Sequence, residues 1–417
     1  MKFPTINICL FLFFIVLPLQ VDAEPWNRFR GENGGGIVEG VSFPVVFSVE
    51  QAAWQTKTPG TGNSSPVIGG GNLYLCAAEP EKGKRYLIAL NATTGKLHWT
   101  REYPFATYKS HKRNGYASAT PCLDDERVYV LWQSEAGSSV EAIKHDGTPA
   151  WSHSLGDFAA GPGSGTSPVV HGGTVFLTHD NEKHASYLLA INAKTGQVRW
   201  KTERKAQRTG FATPVVFQQT DGTTQIIFSH AYEGVVGVEM ETGKVLWQNR
   251  VFGDHQQRAI GSPVVAKNHV IAASGFTSGM KTLVSLNPVS IDKSSEAAEV
   301  FRIVRNVPHV PTPLVIGDRL YLWTDKGILA CVDLEDGREL WAHRIGGEFF
   351  ASPICVGSVI YGVDRNGRVT AVSTKKEFSV LGKSELNLAC TATPAYSNGM
   401  LYFRTHEGVI AFHSDLK

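Results

Sequence analysis

The chain has 417 residues, including 42 glycines, 4 methionines and 9 tryptophans, and its formal net charge is +2. A charge this close to balance argues against a protein whose main partner is a nucleic acid. The length allows a large apolar core, and abundant glycine with little methionine is typical of many short strands joined by tight turns.

The first 23 residues are predicted to be a secretory signal. Lys2 precedes an apolar run at Ile8–Leu17, and the helix-breaking Pro18 and the small Ala23 follow. Cleavage is therefore expected before Glu24. An uncleaved membrane anchor is the alternative, but the apolar run is shorter than the ~18–20 residues that span a bilayer. We expect an exported protein, periplasmic or secreted, with no membrane span after cleavage.

The mature chain would keep five cysteines, and an odd number in an oxidising compartment leaves at least one free thiol. They are Cys76, Cys122, Cys331, Cys355 and Cys390. All five lie in apolar, strand-like segments, so they are predicted to be buried small hydrophobic residues. The sequence has no Cys-x-x-Cys and no zinc-type spacing, and no metal site is predicted.

A Ser/Thr-Pro pair that opens an apolar run recurs eight times, with spacings between prolines of 40 to 55 residues. A period of this size is typical of solenoids, propellers and arrays. Each unit contains four short strand-like runs without helical periodicity, which matches one blade of a β-propeller. The prolines are Pro66, Pro121, Pro168, Pro214, Pro263, Pro313, Pro353 and Pro394.

The first unit illustrates the four predicted strands. Pro66 opens a short run, and a glycine turn leads to Leu73–Ala77. The third strand is Tyr86–Leu90. Gly95 of a Thr-Gly pair then supplies the positive φ that a tight hairpin requires, and the last run is predicted to end at Trp99.

A tryptophan ends most units, in the pattern Thr/Asp-Gly-x-x-x-Trp. The matching residues are Trp99, Trp200, Trp247 and Trp341, with Trp151 as a looser copy. Each indole ring is predicted to pack between neighbouring blades. The fifth unit ends at Phe301 instead, and the seventh lacks both glycine and tryptophan. We still count eight blades, with seven as the alternative.

The strand that each proline opens is predicted to be the innermost of its blade and to line a central channel. Proline is tolerated at the first residue of an edge strand because no ladder donor is lost. A small Ser or Thr before the proline fits where eight blades converge. The motif is therefore interpreted as architectural.

The ring is predicted to close through the segment around Trp54, which resembles a fourth strand. The last unit, Thr393–Phe412, contains only three strands. A strand near Trp54 would complete this C-terminal blade and remove open sheet edges. The prediction is an all-β, eight-bladed β-propeller of four-stranded antiparallel blades in residues 45–417, preceded by a lead segment at residues 24–44.

The Thr/Asp-Gly-x-x-x-Trp units resemble the pyrroloquinoline-quinone (PQQ) repeat of eight-bladed quinoprotein propellers and of the similar, non-catalytic BamB-like scaffold proteins. The stretch Pro25–Gly36 also resembles the start of exported bacterial PQQ-like propellers. The resemblance covers nearly all of the mature chain and implies the fold rather than an activity. We expect a non-catalytic binding or scaffold protein that presents channel-rim loops to a protein partner or envelope ligand.

An enzyme is the alternative: a PQQ-dependent dehydrogenase of alcohols or sugars, or a hydrolase or lyase that uses the rim. The resemblance implies that such dehydrogenases hold calcium through Glu and Asn, use a catalytic Asp, and often carry two adjacent cysteines. The chain has no Cys-Cys pair, and its sequence does not locate the other ligands. No catalytic residue and no cofactor are therefore predicted, and PQQ with calcium belongs to the alternative.

Ligands of propellers usually approach the channel mouth, so the candidate binding residues lie at the ends of second strands and in loops before innermost strands. We expect these to form a polar ring at one rim: Lys109, His111, Lys112, Arg113, His179, Asp180, His230, Asp254, His255, Arg305, His309, Asp325, Asp364, Arg365 and His406. Residues on different blades rarely converge to the ~2.0–2.1 Å that zinc requires. The basic segment Lys109–Tyr116 would dock an acidic partner or be an ordinary solvated loop. The chain is expected to be monomeric.

Overall fold

The computed structural model describes residues 26–415, except 220, 253–257, 277–278 and 292–293. The predicted signal at residues 1–23 lies outside this range. The described residues form 33 β-strands and three 3₁₀-helices, Glu32–Gly34, Val49–Gln51 and Pro80–Lys82. None of the helices in that range is long and apolar enough to cross a membrane.

Two strands precede the first repeat, β1 (Ile37–Val38) and β2 (Trp54–Lys57). The strands of the first four blades follow in chain order, from the channel outward. Blade 1 has β3 (Val67–Gly69), β4 (Asn72–Glu79), β5 (Lys84–Asn91) and β6 (Leu97–Pro104). Blade 2 has β7 (Cys122–Leu123), β8 (Arg127–Ser134), β9 (Gly137–Lys144) and β10 (Pro149–Gly156). Blade 3 has β11 (Val169–His171), β12 (Thr174–His179), β13 (Ser186–Asn192) and β14 (Val198–Arg204). Blade 4 has β15 (Val215–Gln218), β16 (Thr224–His230), β17 (Gly234–Glu239) and β18 (Val245–Asn249).

The remaining blades repeat this order. Blade 5 has β19 (Val264–Ala266), β20 (His269–Gly275), β21 (Lys281–Ile291) and β22 (Ala297–Ile303). Blade 6 has β23 (Leu314–Ile316), β24 (Arg319–Trp323), β25 (Ile328–Asp333) and β26 (Glu339–Arg344). Blade 7 has β27 (Ile354–Val356), β28 (Val359–Val363), β29 (Arg368–Ser373) and β30 (Val380–Glu385). Blade 8 has β31 (Ala395–Ser397), β32 (Met400–Arg404) and β33 (Gly408–His413).

The N-terminal strand β2 completes blade 8, as the sequence predicted. It pairs antiparallel with β33, and Trp54 lies opposite Ala411. The eighth sheet therefore has four strands in the order β2-β33-β32-β31. The eight-bladed, all-β architecture is confirmed, and the alternative of seven blades is excluded.

The innermost strands are joined by a ring of side-chain hydroxyl groups. In six places the backbone N–H of a motif Ser or Thr donates to the hydroxyl of the motif residue in the next blade, at 2.9–3.0 Å. We call the eight motif residues the hydroxyl ring: Ser65, Thr120, Ser167, Thr213, Ser262, Thr312, Ser352 and Thr393. All eight are buried. The sequence predicted small residues here but not this hydrogen bonding.

The tryptophans form a second, outer set of contacts between blades. Five indole N–H groups donate to a backbone carbonyl in the turn of the next blade, at 2.8–3.1 Å; the donors are Trp54, Trp99, Trp151, Trp200 and Trp341. The bond from Trp54 to the carbonyl of Ala92 joins blade 8 to blade 1 and so closes the ring. Gly95 in that turn has a φ of 70°, and an added Cβ would lie 2.5 Å from the Trp54 ring. Both the turn and the indole therefore require glycine there.

Two outer contacts differ from the pattern. The Trp247 indole donates within its own blade, to the side-chain oxygen of Gln225 at 2.7 Å, because blade 5 has no Thr-Gly turn to receive it. Phe301 takes the place of the indole in blade 5 and packs on Gly337 of blade 6.

The predicted strand ends need correction. The strand β6 continues past Trp99 to Pro104, since the outermost strand must cross the whole blade before the chain enters the next one.

The lead segment closes one end of the channel. The opposite end carries the rim loops, which precede the innermost strands or join the second strand of a blade to its third. The N–H of Ile68 donates to the carbonyl of Trp26 at 2.8 Å, and that of Leu123 to the carbonyl of Asn27 at 2.8 Å. The strand β1 then pairs in parallel with β27 of blade 7. The segment is thus hydrogen-bonded to inner strands of several blades, which the sequence did not predict.

Two buried arginines attach the lead segment to the proline motifs. Arg28 donates to the carbonyl of Pro214, and Arg30 donates to those of Pro313 (2.9 Å) and Pro353 (3.3 Å). Burial lowers the pKa of Arg30 to about 9, so the guanidinium stays cationic at neutral pH. Charge-assisted bonds to carbonyls offset part of the cost of burying it.

The five cysteines of the described chain are buried and form no disulfide, as expected for small hydrophobic residues. Burial raises the pKa of Cys76 and of Cys390 to about 12. Because the thiolate is the reactive form, these thiols are unreactive at neutral pH.

Replacing Thr312 by Val tests the hydroxyl ring. The substitution keeps the shape but leaves the buried N–H of Ser262 without its acceptor, so we expect a loss of about 1–3 kcal/mol in the free energy of unfolding. Urea unfolding followed by tryptophan fluorescence measures it. Thr312→Ser keeps the hydroxyl and is the matched control. A Val variant no less stable than the Ser variant would contradict the role of the hydroxyl.

Candidate functional site

The loops before the innermost strands surround a cavity of about 630 Å³ at the mouth of the channel. We call it the channel-mouth cavity. All eight residues of the hydroxyl ring line it, and Phe29 of the lead segment lines it as well. The lead segment bonds to the inner strands on the far side of the ring. The cavity therefore opens at the rim and is closed at the other end.

A second layer of residues lines the cavity one step nearer the rim. Each stands two positions before a hydroxyl-ring residue and faces the same way, because the residues of an extended segment alternate between two faces. In chain order the eight residues are Asn63, Ser118, Gly165, Phe211, Ile260, Val310, Phe350 and Thr391. We call these the wall residues.

The wall is polar on one side and apolar on the other. Blades 8, 1, 2 and 3 contribute small or polar residues: Thr391, Asn63, Ser118 and Gly165. Blades 4 to 7 contribute only apolar ones: Phe211, Ile260, Val310 and Phe350. The eight blades share one backbone arrangement, so this difference comes from the wall position alone.

The basic segment Lys109–Tyr116 reaches across the mouth, and we call it the strap. At its base, the N–H of His111 and the side-chain amide of Asn114 both donate to the carbonyl of Pro162, at 3.2 and 2.9 Å. The Arg113 guanidinium carbon lies 5.4 Å from the ring centroid of Phe350, on blade 7. The strap therefore bridges blades 2, 3 and 7, and His111, Lys112 and Arg113 line the cavity.

The cavity lining is cationic. Its charged residues are Lys112, Arg113, Arg258 and Lys326, and no Asp or Glu lines it among the residues that the structure describes. Arg258 lies 3.3 Å from the carboxylate of Glu182, which does not itself line the cavity. The four cations of the lining give the mouth a positive potential, which a concave wall of low dielectric strengthens.

Of the fifteen predicted site residues, His111, Lys112, Arg113 and His309 line the channel-mouth cavity. Four others lie exposed on the rim face without lining it: Lys109, Arg305, Arg365 and His406. Asp254 and His255 lie outside the described residues. The remaining five, His179, Asp180, His230, Asp325 and Asp364, are buried.

The buried histidines differ from the expected polar ring because their side chains hold loops in place. The ring nitrogen Nε2 of His179 pairs with the carbonyl of Asp157 at 3.0 Å, and that of His230 with the carbonyl of Arg208 at 2.8 Å. Burial lowers the pKa of both imidazoles. These two histidines are therefore placed to fasten the loops that lead into the next inner strand.

The three buried aspartates also hold loops in place. Asp325 accepts from the N–H of His309 at 2.8 Å and of Val310 at 3.1 Å. Asp364 accepts from the backbone of its own turn, and Asp180 forms an ion pair with Arg204. These carboxylates position the loops around the mouth, and they are already occupied by donors.

Sequence reasoning missed the whole wall, since none of the eight wall residues is among the predicted site residues. The signal was present, because the wall residue always stands two positions before the motif Ser or Thr. Only a known orientation of the inner strand shows that this position faces the channel.

The donor set does not fit a quinone held by calcium. Calcium takes six to eight oxygen ligands, largely from carboxylates, whereas the described lining carries four cations and no carboxylate. No group of three His, Cys, Asp or Glu residues able to hold a metal occurs in the described part of the chain. The described lining also has no tryptophan to stack on a flat ring.

The chain matches a protein-family model described as outer membrane protein assembly factor BamB, over residues 47–210, 108–294 and 306–414. A protein of that name from Moranella endobia is 24% identical over 320 residues, which cover 74% of this chain and 66% of that protein. The chain thus spans about two thirds of that relative's length.

Two solved structures share the fold. BamB from Moraxella catarrhalis superposes with a TM-score of 0.61 at 15% identity, covering 86% of this chain and 96% of that one. A quinohemoprotein alcohol dehydrogenase from Comamonas testosteroni gives a TM-score of 0.68 at 12% identity, covering 94% and 81%. Because both identities are so low, the likeness concerns the fold alone.

His309 makes stability depend on pH. Burial lowers the pKa of this imidazole from 6.5 to about 4. Between these values the unfolded chain binds more protons than the folded one, so the free energy of unfolding falls as the pH falls. His309→Asn removes this titration. We expect the stability of the wild type relative to the variant to decrease from pH 7 to pH 4 in urea unfolding, and a constant difference would contradict a neutral buried imidazole.

Proposed function

The chain belongs to the family described as outer membrane protein assembly factor BamB, and from that membership we propose that it is a non-catalytic, exported propeller that binds a protein partner of the cell envelope. The partner contacts the face that carries the rim loops. The supporting observation is the set of exposed cationic side chains on that face that do not line the cavity, among them Lys109, Arg305 and Arg365. They suit an acidic partner surface.

The fold supports a scaffold role because the rim loops stand on a rigid ring. Hydroxyl and indole contacts join neighbouring blades at small and large radius. Buried His and Asp side chains then fix the loops themselves. A preorganised surface loses less conformational entropy when a partner binds.

The proposal includes the organisation and location of the chain. Residues 1–23 act as an export signal, residues 24–44 form the lead segment, and residues 45–417 form one propeller domain. The mature protein is a monomer in the periplasm or is secreted. Relatives named as outer membrane assembly factors support this placement.

A quinoprotein dehydrogenase remains the second candidate, and it rests on the likeness of fold to an alcohol dehydrogenase. The charge of the channel-mouth cavity does not favour it, because Lys112, Arg113 and Lys326 would repel calcium. We therefore propose neither PQQ nor calcium as a cofactor.

Charge reversal on the rim tests the docking face. We expect Lys109→Glu with Arg305→Glu to reduce recovery of the partner from envelope extracts at least tenfold, since both cations are exposed and neither lines the cavity. Lys96→Glu with Lys375→Glu places the same charges on turns at the opposite face. Pull-down with quantitative mass spectrometry compares the two pairs. Equal recovery of the partner with the two pairs of variants would show that the partner does not bind the rim face.

A further inference from the structure

The channel-mouth cavity combines features that partner docking on the rim does not require. It is deep, closed at one end, cationic, and apolar on one half of its wall. Its volume of about 630 Å³ falls within the range of small-molecule sites, about 300–1,000 Å³. A flat docking surface needs none of these properties.

The apolar half of the wall extends over four consecutive blades. Phe211, Ile260, Val310 and Phe350 occupy the same position on four consecutive blades, and Phe29 extends the apolar lining. Phe29 belongs to the lead segment, which closes the channel. An apolar group that enters from the rim can therefore lose contact with water along its length, at about 25 cal/mol for each Å² buried.

The positive charge of the cavity lining favours a ligand with a negative charge. Lys112 and Arg113 of the strap line the cavity together with Arg258 and Lys326, and no carboxylate lines it among the residues that the structure describes. These cations lie on rim loops, whereas the wall residues and Phe29 lie deeper. The arrangement suits an anionic head at the mouth and an apolar chain below it.

The strap favours a small molecule over a protein segment. It spans the mouth from Pro162 of the loop before blade 3 to Phe350 of blade 7. Arg365 stacks on the same Phe350 ring at 4.8 Å and pairs with Glu348 at 2.8 Å, which steadies this anchor. A folded partner surface cannot reach the wall beneath such a bridge without displacing it.

We propose that the channel-mouth cavity binds a small amphipathic carboxylate, one acidic head on a linear apolar chain. The carboxylate pairs with Lys112 and Lys326, and the chain lies along Phe211 and Phe350. This site goes beyond the docking function and is independent of it, because the docking variants change Lys109 and Arg305, which do not line the cavity.

Calorimetric titration of the full-length mature protein with octanoate, decanoate and dodecanoate, below micelle formation, tests the assignment. Each two-carbon step should raise the affinity about tenfold or more, because burial of one methylene contributes roughly 0.8 kcal/mol. Decanol and decyltrimethylammonium should bind at least tenfold more weakly than decanoate. Decanoate binding should weaken as salt is added.

Variants locate the site. Lys112→Met with Lys326→Met keeps side-chain length but removes charge, so it should weaken decanoate at least tenfold and leave decanol nearly unchanged. Phe211→Ser should flatten the dependence on chain length. Lys109→Met, on the same strap but outside the cavity lining, is the matched control and should bind like the wild type. Thermal melting without ligand confirms that each variant is folded.

Three results would overturn the proposal. Equal affinity for decanol and decanoate would show an apolar pocket without charge selection. Tighter binding of PQQ, a tricarboxylate without an apolar chain, would point to a flat polyanion instead. Displacement of decanoate by an acidic peptide that binds more tightly would make the cavity part of a protein-docking site. A fourth result would support both proposals: the rim variants lose partner recovery but bind decanoate as tightly as the wild type does.

Discussion

The structure depends on one hydrogen bond that is repeated around the channel, from a backbone N–H of one inner strand to a side-chain hydroxyl of the next. Except for β27, which pairs with β1, each inner strand has one edge without a strand partner, and a buried donor left there costs about as much as a lost hydrogen bond. The hydroxyl of Thr312 accepts from Ser262, and the N–H of Thr312 donates to Ser352 in turn. The following proline has no N–H, so it adds no further unpaired donor.

The Ser/Thr-Pro motif contributes to both ends of the channel. At the closed end, carbonyls of motif prolines accept from Arg28 and Arg30 of the lead segment. At the open end, the extended backbone before the motif turns every second side chain toward the axis. The motif is uniform, but the wall position is free to vary. That freedom allows one half of the mouth to be apolar and the other polar without any change in the architecture.

The fold could be predicted from the sequence because its signals are local and repeated. Ser/Thr-Pro marks each inner strand, Gly-x-x-x-Trp marks four of the five indole contacts between blades, and the missing fourth strand of the last unit points to Trp54. The site was less accessible, since it depends on contacts between distant parts of the chain. His179 and His230 end second strands, as expected, but they turn toward the carbonyls of Asp157 and Arg208 in neighbouring loops. Likewise, nothing local to Arg30 marks Pro313, 283 residues away, as its partner.

Residue-resolved amide hydrogen exchange under native conditions tests the hydroxyl ring most directly. The N–H groups of Ser262, Thr312 and Ser352 precede their strands, and ordinary ladder bonds do not protect them. If the neighbouring hydroxyls hold them, they exchange as slowly as the central strand amides of the same blades, through opening of the ring as a whole. Exchange at the rate of exposed rim loops would show that these bonds do not form and that the hydroxyl groups do not join the inner strands.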